Sequence, residues 1–196
     1  MPRIRTTVVV LAALGLGGAT VAFGGSERLE PTAGHGHGDH QGRQGRHASA
    51  ALVNAAGDRV GRVRMHEGRR DGVVHLRVRV RDLPPGFHGF HVHTTGRCDA
   101  PGFTTAGGHL NPAGTSHAAH AGDLPSLLVN DDGRARLAAT TDRFSLGDLR
   151  DADGSAVMVH SGPDNFANIP ARYGTPDQET LDTGDSGSRI ACGVVR

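Results

Sequence analysis

Between residues 74 and 81 the chain alternates without a break: Val74, Leu76, Val78 and Val80 are apolar, and His75, Arg77, Arg79 and Arg81 are polar. A period of two predicts a β-strand with one buried and one wet face. Shorter runs at 50–53 and 60–66, parted by Ala-Gly-Asp, predict two strands before it. Leu83-Pro84-Pro85-Gly86 ends the alternating run, and one strand is predicted over 87–93. Leu127–Val129 and Ala135–Thr141 flank Asn130-Asp131-Asp132-Gly133, which reads as a hairpin turn. Ala156–His160 and Ile190–Val195 supply the last two strands. Helical periodicity is confined to about a turn near Leu146–Leu149. The pattern predicts an all-β domain: an eight-stranded antiparallel sandwich or flattened barrel with long loops at 94–124 and 161–189. Structureless loops of that length inside a compact domain usually carry function.

The N-terminal end reads differently. In residues 1–23, Arg3 and Arg5 precede an apolar, small-residue run from Val8 to Phe23. That run falls short of the roughly 20 residues a membrane span needs, so it predicts an export signal, with an N-terminal anchor as the alternative. Residues 24–47 are Gly, Pro, Gln and Arg with His35, His37, His40 and His47. Such a stretch cannot bury a core, so a disordered linker is expected, either catching metal ions or serving only as a solvated tether. The folded domain is then expected over 48–196.

Composition narrows the picture. The 196 residues suit one domain, and 21 basic against 20 acidic residues, net +1, give no case for a nucleic-acid binder. All the basic residues are Arg. Aromatics are 4% and Trp is absent, so the core must come mainly from Val, Leu, Ile and Ala. Cys98 and Cys192 are the only cysteines, and an even count in an exported chain favours a disulfide.

The candidate chemistry lies in histidines. His91 and His93 alternate across Val92, so on a strand they leave the same face. Two imidazoles so placed make half of a square-planar nitrogen site, a geometry that suits Cu(II). His109, His117, His120, Asp123 and His160 follow, enough nitrogen and oxygen for two metals. His88 is out of phase with His91 and reads as a hydrogen-bonded structural residue, while His66 and His75 read as surface groups.

Four motifs carry a resemblance: Gly-Phe-His-Gly-Phe-His-Val-His at 86–93, Gly-Gly-His-Leu-Asn-Pro at 107–112, His-Ala-Gly-Asp-Leu-Pro at 120–125 and Gly-Ser-Arg-Ile-Ala-Cys-Gly-Val at 187–194. Through them the chain resembles the copper/zinc superoxide dismutase family over roughly residues 50–196. The resemblance implies a Greek-key order of strands and dismutation of superoxide to oxygen and hydrogen peroxide by Cu(II)/Cu(I) cycling. It makes His91, His93, His109 and His160 copper ligands, and His109, His117, His120 and Asp123 zinc ligands, with His109 bridging. It gives Asp164 hydrogen bonds to one ligand of each metal, Arg189 the open copper position, and Cys98–Cys192 a disulfide. Superoxide is the only partner it implies, and an exported, extracellular, cell-wall or periplasmic location follows from the N-terminal reading. A copper store on the same fold is the competing reading, and Arg189 has no use in one. Two departures stand out. His117 and His120 are only three residues apart, and 161–189 holds Asp164, Asp177, Glu179, Asp182 and Asp185 against Arg172 and Arg189, with no lysine.

Overall fold

The computed structural model describes residues 45–196. The expected export segment and residues 24–44 lie outside them. Nine strands are present among the described residues: β1 (His47–Val53), β2 (Arg59–Glu67), β3 (Val74–Val80), β4 (Gly86–His88), β5 (Phe90–His93), β6 (Leu127–Val129), β7 (Ala135–Thr141), β8 (Ala156–His160) and β9 (Arg189–Val194). Seven form one antiparallel sheet in the order β5-β8-β9-β1-β2-β3-β7, and β4 pairs with β6. The insertion of β8 and β9 between β5 and β1 is a Greek-key crossover rather than a simple meander. His47, read from the sequence as part of the linker, is the first residue of β1.

The alternation seen in the sequence builds the core. Leu52, Val63, Leu76 and Val78 from β1 to β3 meet Phe90, Val92, Val157 and Val159 from β5 and β8 in one buried cluster. Each such side chain is worth about 1.5–3 kcal/mol when fully removed from water. A second cluster of Phe103, Ala106, Ala156, Met158 and Cys192 lies under the first long loop, with Cys98 packed against it.

Two expectations need correction. The single strand predicted over 87–93 is two, because the chain switches sheets at Gly89. A Cβ there would lie 2.5 Å from Ser186 Oγ, while Gly89 N–H donates to Gly162 O and its carbonyl accepts from His160 N–H. Only glycine lets these backbones approach so closely. The stretch 161–189, expected to be irregular, contains the helix α1 (Gln178–Thr183). Asp177 caps it by accepting from Thr180 N–H at 2.9 Å, and Gly184 ends it in the left-handed conformation. Six residues are too few for a helical period to show.

Candidate metal centre

β5 is an edge strand of the large sheet, and the first long loop occupies its free edge. Leu110 N–H donates to Val92 O, Val92 N–H to Gly122 O, and Thr94 N–H to Gly108 O, all within 3.0 Å. This stitching sets His109 opposite His93 and Asp123 opposite His91. On β8, Ala156, Met158 and His160 share the face that meets His93 and His91 across the β5–β8 pairing. A register shift at Val159/His160 brings His160 opposite Arg189 of β9. Residues 70 positions apart in sequence thus converge on one side of the sheet.

Hydrogen bonding fixes which nitrogen of each ring carries a proton. His91 Nε2 and His117 Nε2 each lie 2.7 Å from one oxygen of Asp164, which can only accept when ionised. In both rings Nδ1 points away from Asp164, and both Nδ1 atoms are buried without a hydrogen-bond partner. His93 Nδ1 donates to Gly107 O at 2.9 Å and His160 Nδ1 to Gly187 O at 3.0 Å, which leaves their Nε2 lone pairs facing each other at 3.4 Å. Two facing lone pairs repel unless a cation lies between them. His109 Nδ1 is 3.0 Å from Asp123 Oδ1, and its Nε2, on the other edge of the ring, is buried without a partner.

Two groups of ligand atoms result, each with all members within 4.8 Å of one another. His91, His93, His109 and His160 form the first; His91, His109, His117 and Asp123 form the second. His120 stands at the margin of the second: its Nδ1 lies 3.3 Å from His109 Nδ1 and 3.4 Å from Asp123 Oδ1. His117 Nδ1 is 3.1 Å from Asp123 Oδ2 yet not aligned for a hydrogen bond. The short His117–His120 spacing still delivers both rings to Asp123.

Electrostatics agree with this division. Burial pushes His91 down to about 4 and His160 down to about 3, and it lowers His93 strongly, so all three are neutral and ready to donate lone pairs at neutral pH. His117 behaves oppositely: burial opposes its charge, but Asp123 and Asp164 outweigh that and raise it to about 9. Both carboxylates are held well below their usual range, against the effect of burial, by hydrogen bonds from the histidines around them. Two carboxylates, Asp123 in the second group and Asp164 beside it, thus face a single protonated His117, whose proton a metal ion would displace. Nitrogen donors on one side and mixed nitrogen and carboxylate on the other fit copper and zinc respectively.

A cavity of about 410 Å³ opens onto His93, His109, His120, His160 and Arg189, with Glu179 and Asp182 of α1 also lining it. Arg189 is held by its own donations to Phe103 O (2.7 Å) and Gly107 O (2.6 Å), and burial lowers its pKa from the usual arginine value. Cys98 and Cys192 are disulfide-bonded with Cα atoms 5.7 Å apart, tying the first long loop to β9.

The family model for copper/zinc superoxide dismutase matches residues 59–195. The chain belongs to this family. It is 47% identical over 133 residues to the Cu-Zn superoxide dismutase of Mycobacterium tuberculosis, covering 59% of this chain and 55% of that protein. The chain thus spans about half the length of its mycobacterial relatives. It is 34% identical to Cu-Zn superoxide dismutase 2 of Aquifex aeolicus over 161 residues, covering 76% of this chain and 86% of that one. Among solved structures, a SOD-like protein from Bacillus subtilis superposes with a TM-score of 0.62 at 31% identity, covering 74% of this chain and 96% of that one.

Some residues that build the centre carry no signal in the sequence. Gly184, at φ +60°, presses its backbone against Asp164 Oδ1 and His117 Nε2, where a Cβ would collide with both. Gly107 and Gly187 orient His93 and His160 through their carbonyls alone. Backbone acceptors are invisible to any reading of side-chain types. The ring nitrogens of His88 face only backbone carbonyls, those of His160 (2.7 Å) and Pro84 (2.8 Å), and stay outside both groups. His75 is exposed, and His66 is half-buried beneath His47, whose ring stacks on it at 4.6 Å.

Proposed function

We propose that this chain is an exported superoxide dismutase in which His91, His93, His109 and His160 hold copper and His109, His117, His120 and Asp123 hold zinc. The observation that carries this reading is the convergence of buried ring nitrogens on two points that share His109, beside a cavity edged by a fixed arginine. When bound, copper supplies one-electron oxidation and reduction, and zinc supplies positive charge at His109. Arg189 docks the superoxide anion in the cavity with a charge that never titrates at working pH. His109 would serve as proton carrier: whenever Nε2 is not holding copper, that nitrogen would take a proton from solvent and pass it to the second superoxide, with water supplying the other proton of hydrogen peroxide. Asp164 keeps the Nε2 protons of His91 and His117 in place, which holds both rings in the orientation that donates through Nδ1. The disulfide and the N-terminal sequence both support export.

Metal analysis joined to a superoxide consumption assay tests the proposal: about one copper and one zinc per chain, with rapid turnover, is expected. Arg189→Ala should keep both metals and lose about tenfold in rate at low ionic strength, with the deficit shrinking in salt. A protein that binds copper but leaves superoxide untouched would support the storage reading instead.

A further inference from the structure

The outer face of β1, β2, β3 and β7 carries a feature that superoxide chemistry does not use. Cross-strand register aligns Arg62, Arg79 and Arg136 in one row, Arg64 and Arg77 in the next, and His47, His66 and His75 in a third. Arg59, Arg81 and Arg134 flank the first row, and all eight arginines are exposed. Among the described residues no carboxylate lies within ion-pair distance of Arg62, Arg64, Arg77, Arg79 or Arg136; Asp82 and Asp132 reach only Arg81 (3.3 Å) and Arg134 (4.0 Å) at the margin. Like charges directly opposite each other on neighbouring strands destabilise a sheet. This domain stacks them in rows although the whole chain is nearly neutral. Two open concavities, of about 450 and 540 Å³, lie between the rows, the first lined by Arg62, Arg79 and Arg136 and the second by Arg64 and Arg77.

We propose that this arginine face docks on an anionic phospholipid surface, with headgroup phosphates seated between the guanidinium rows. Three observations favour that occupant. Every cation is an arginine, whose planar fork matches phosphate oxygens two at a time. The face is a broad sheet surface rather than a single furrow. The 44 residues that precede the described chain include the apolar run from Val8 to Phe23 and lead in sequence to His47, which lies in the third row. Where the apolar N-terminal run stays on the chain, a basic patch on the domain that follows it in sequence would add a second, electrostatic attachment to an anionic bilayer. The metal cavity belongs to β5, β8 and β9 at the other edge of the sheet, so docking leaves it open.

The test is partitioning of the full chain between buffer and vesicles of phosphatidylcholine alone or mixed with phosphatidylglycerol. The change in preference between native and variant isolates the charged face, because the apolar run and its flanking arginines contribute equally to both proteins. Each arginine near an anionic surface adds about fivefold to binding, so R64Q/R77Q/R79Q should cut the preference roughly a hundredfold while superoxide turnover stays unchanged. Should that variant fail to fold, R62Q/R136Q probes the neighbouring row, with an expected loss of about twenty-fivefold. An undiminished preference in either folded variant overturns the proposal. So does native protein that shows no preference for the anionic vesicles yet is retained on inorganic polyphosphate, which would give the face to a soluble polyanion.

Discussion

In β3 the polar members of the alternation, His75, Arg77 and Arg79, face water; in β5 the polar members, His91 and His93, are as buried as Phe90 and Val92 beside them. Both strands belong to one sheet and obey the same two-residue period. The difference is what covers the second face. Over β3 nothing described does, and the face can be charged without a desolvation cost. Over β5 the loop 94–126 and α1 with its flanks close down, so whatever stands there must be satisfied by partners. Asp164, Asp123 and backbone carbonyls satisfy one nitrogen of each ring and leave the other bare. Exposed charge needs no partner to fold, whereas buried polarity does, and an incomplete set is affordable only if an ion completes it.

The contrast can be broken most sharply at His160. His160→Ala should take superoxide consumption to background and abolish stoichiometric copper, while His75→Ala, equally polar on its strand, should leave both intact. Full activity in the first variant would end the assignment of the four-nitrogen group. Next in size is the covalent tie on the buried side. Replacing Cys98 and Cys192 by Ser should cost about 2–5 kcal/mol in denaturant unfolding, because the bond closes a loop spanning 94 residues in the unfolded chain. No loss of stability would mean that the loop over β5 is held by its backbone stitching alone.

Acid offers a third comparison. His91 and His160 have folded pKa values of about 4 and 3, below the ordinary 6.5, so the unfolded chain binds more protons in that window. The stability they contribute to metal-free protein is fully present above pH 6.5 and is lost as pH falls towards 4 and 3. His117, raised to about 9, has the opposite sign: its contribution is whole below 6.5 and is lost as pH rises through 9. Thermal melts of metal-free protein should therefore peak near pH 6.5, and a monotonic profile across pH 4 to 9 would contradict this arrangement of protons. The smallest effect is expected on the wet face. Arg77→Gln should change unfolding free energy by no more than about 0.5 kcal/mol, with any change towards greater stability as cross-strand repulsion is relieved. A large loss there would show that the arginine rows support the fold.

Much of the scaffold was legible because each strand states its own period. Val74–Val80 needed only the alternation, and the 130–134 turn only its Asn-Asp-Asp-Gly. The splitting of 87–93 at Gly89 was not legible, since that break depends on the approach of Gly162 and Ser186 from far downstream in the chain. Nor was α1, whose signals are two caps around a single turn and a half.

For the metal centre, the sequence by itself determined the inventory: which histidines and aspartates exist, that His91 and His93 share a face, and, through its motifs, which family they resemble. Only the tertiary structure decided how they meet. The edge of β5 captures His109 and Asp123, the bulge turns His160 towards Arg189, and Asp164 grips His91 and His117 at once. The physical reason is range. A strand's period is set by steric and solvation effects over two residues, whereas a tautomer is set by whichever acceptor the fold brings within 3 Å, and here those acceptors come from loops far away along the chain.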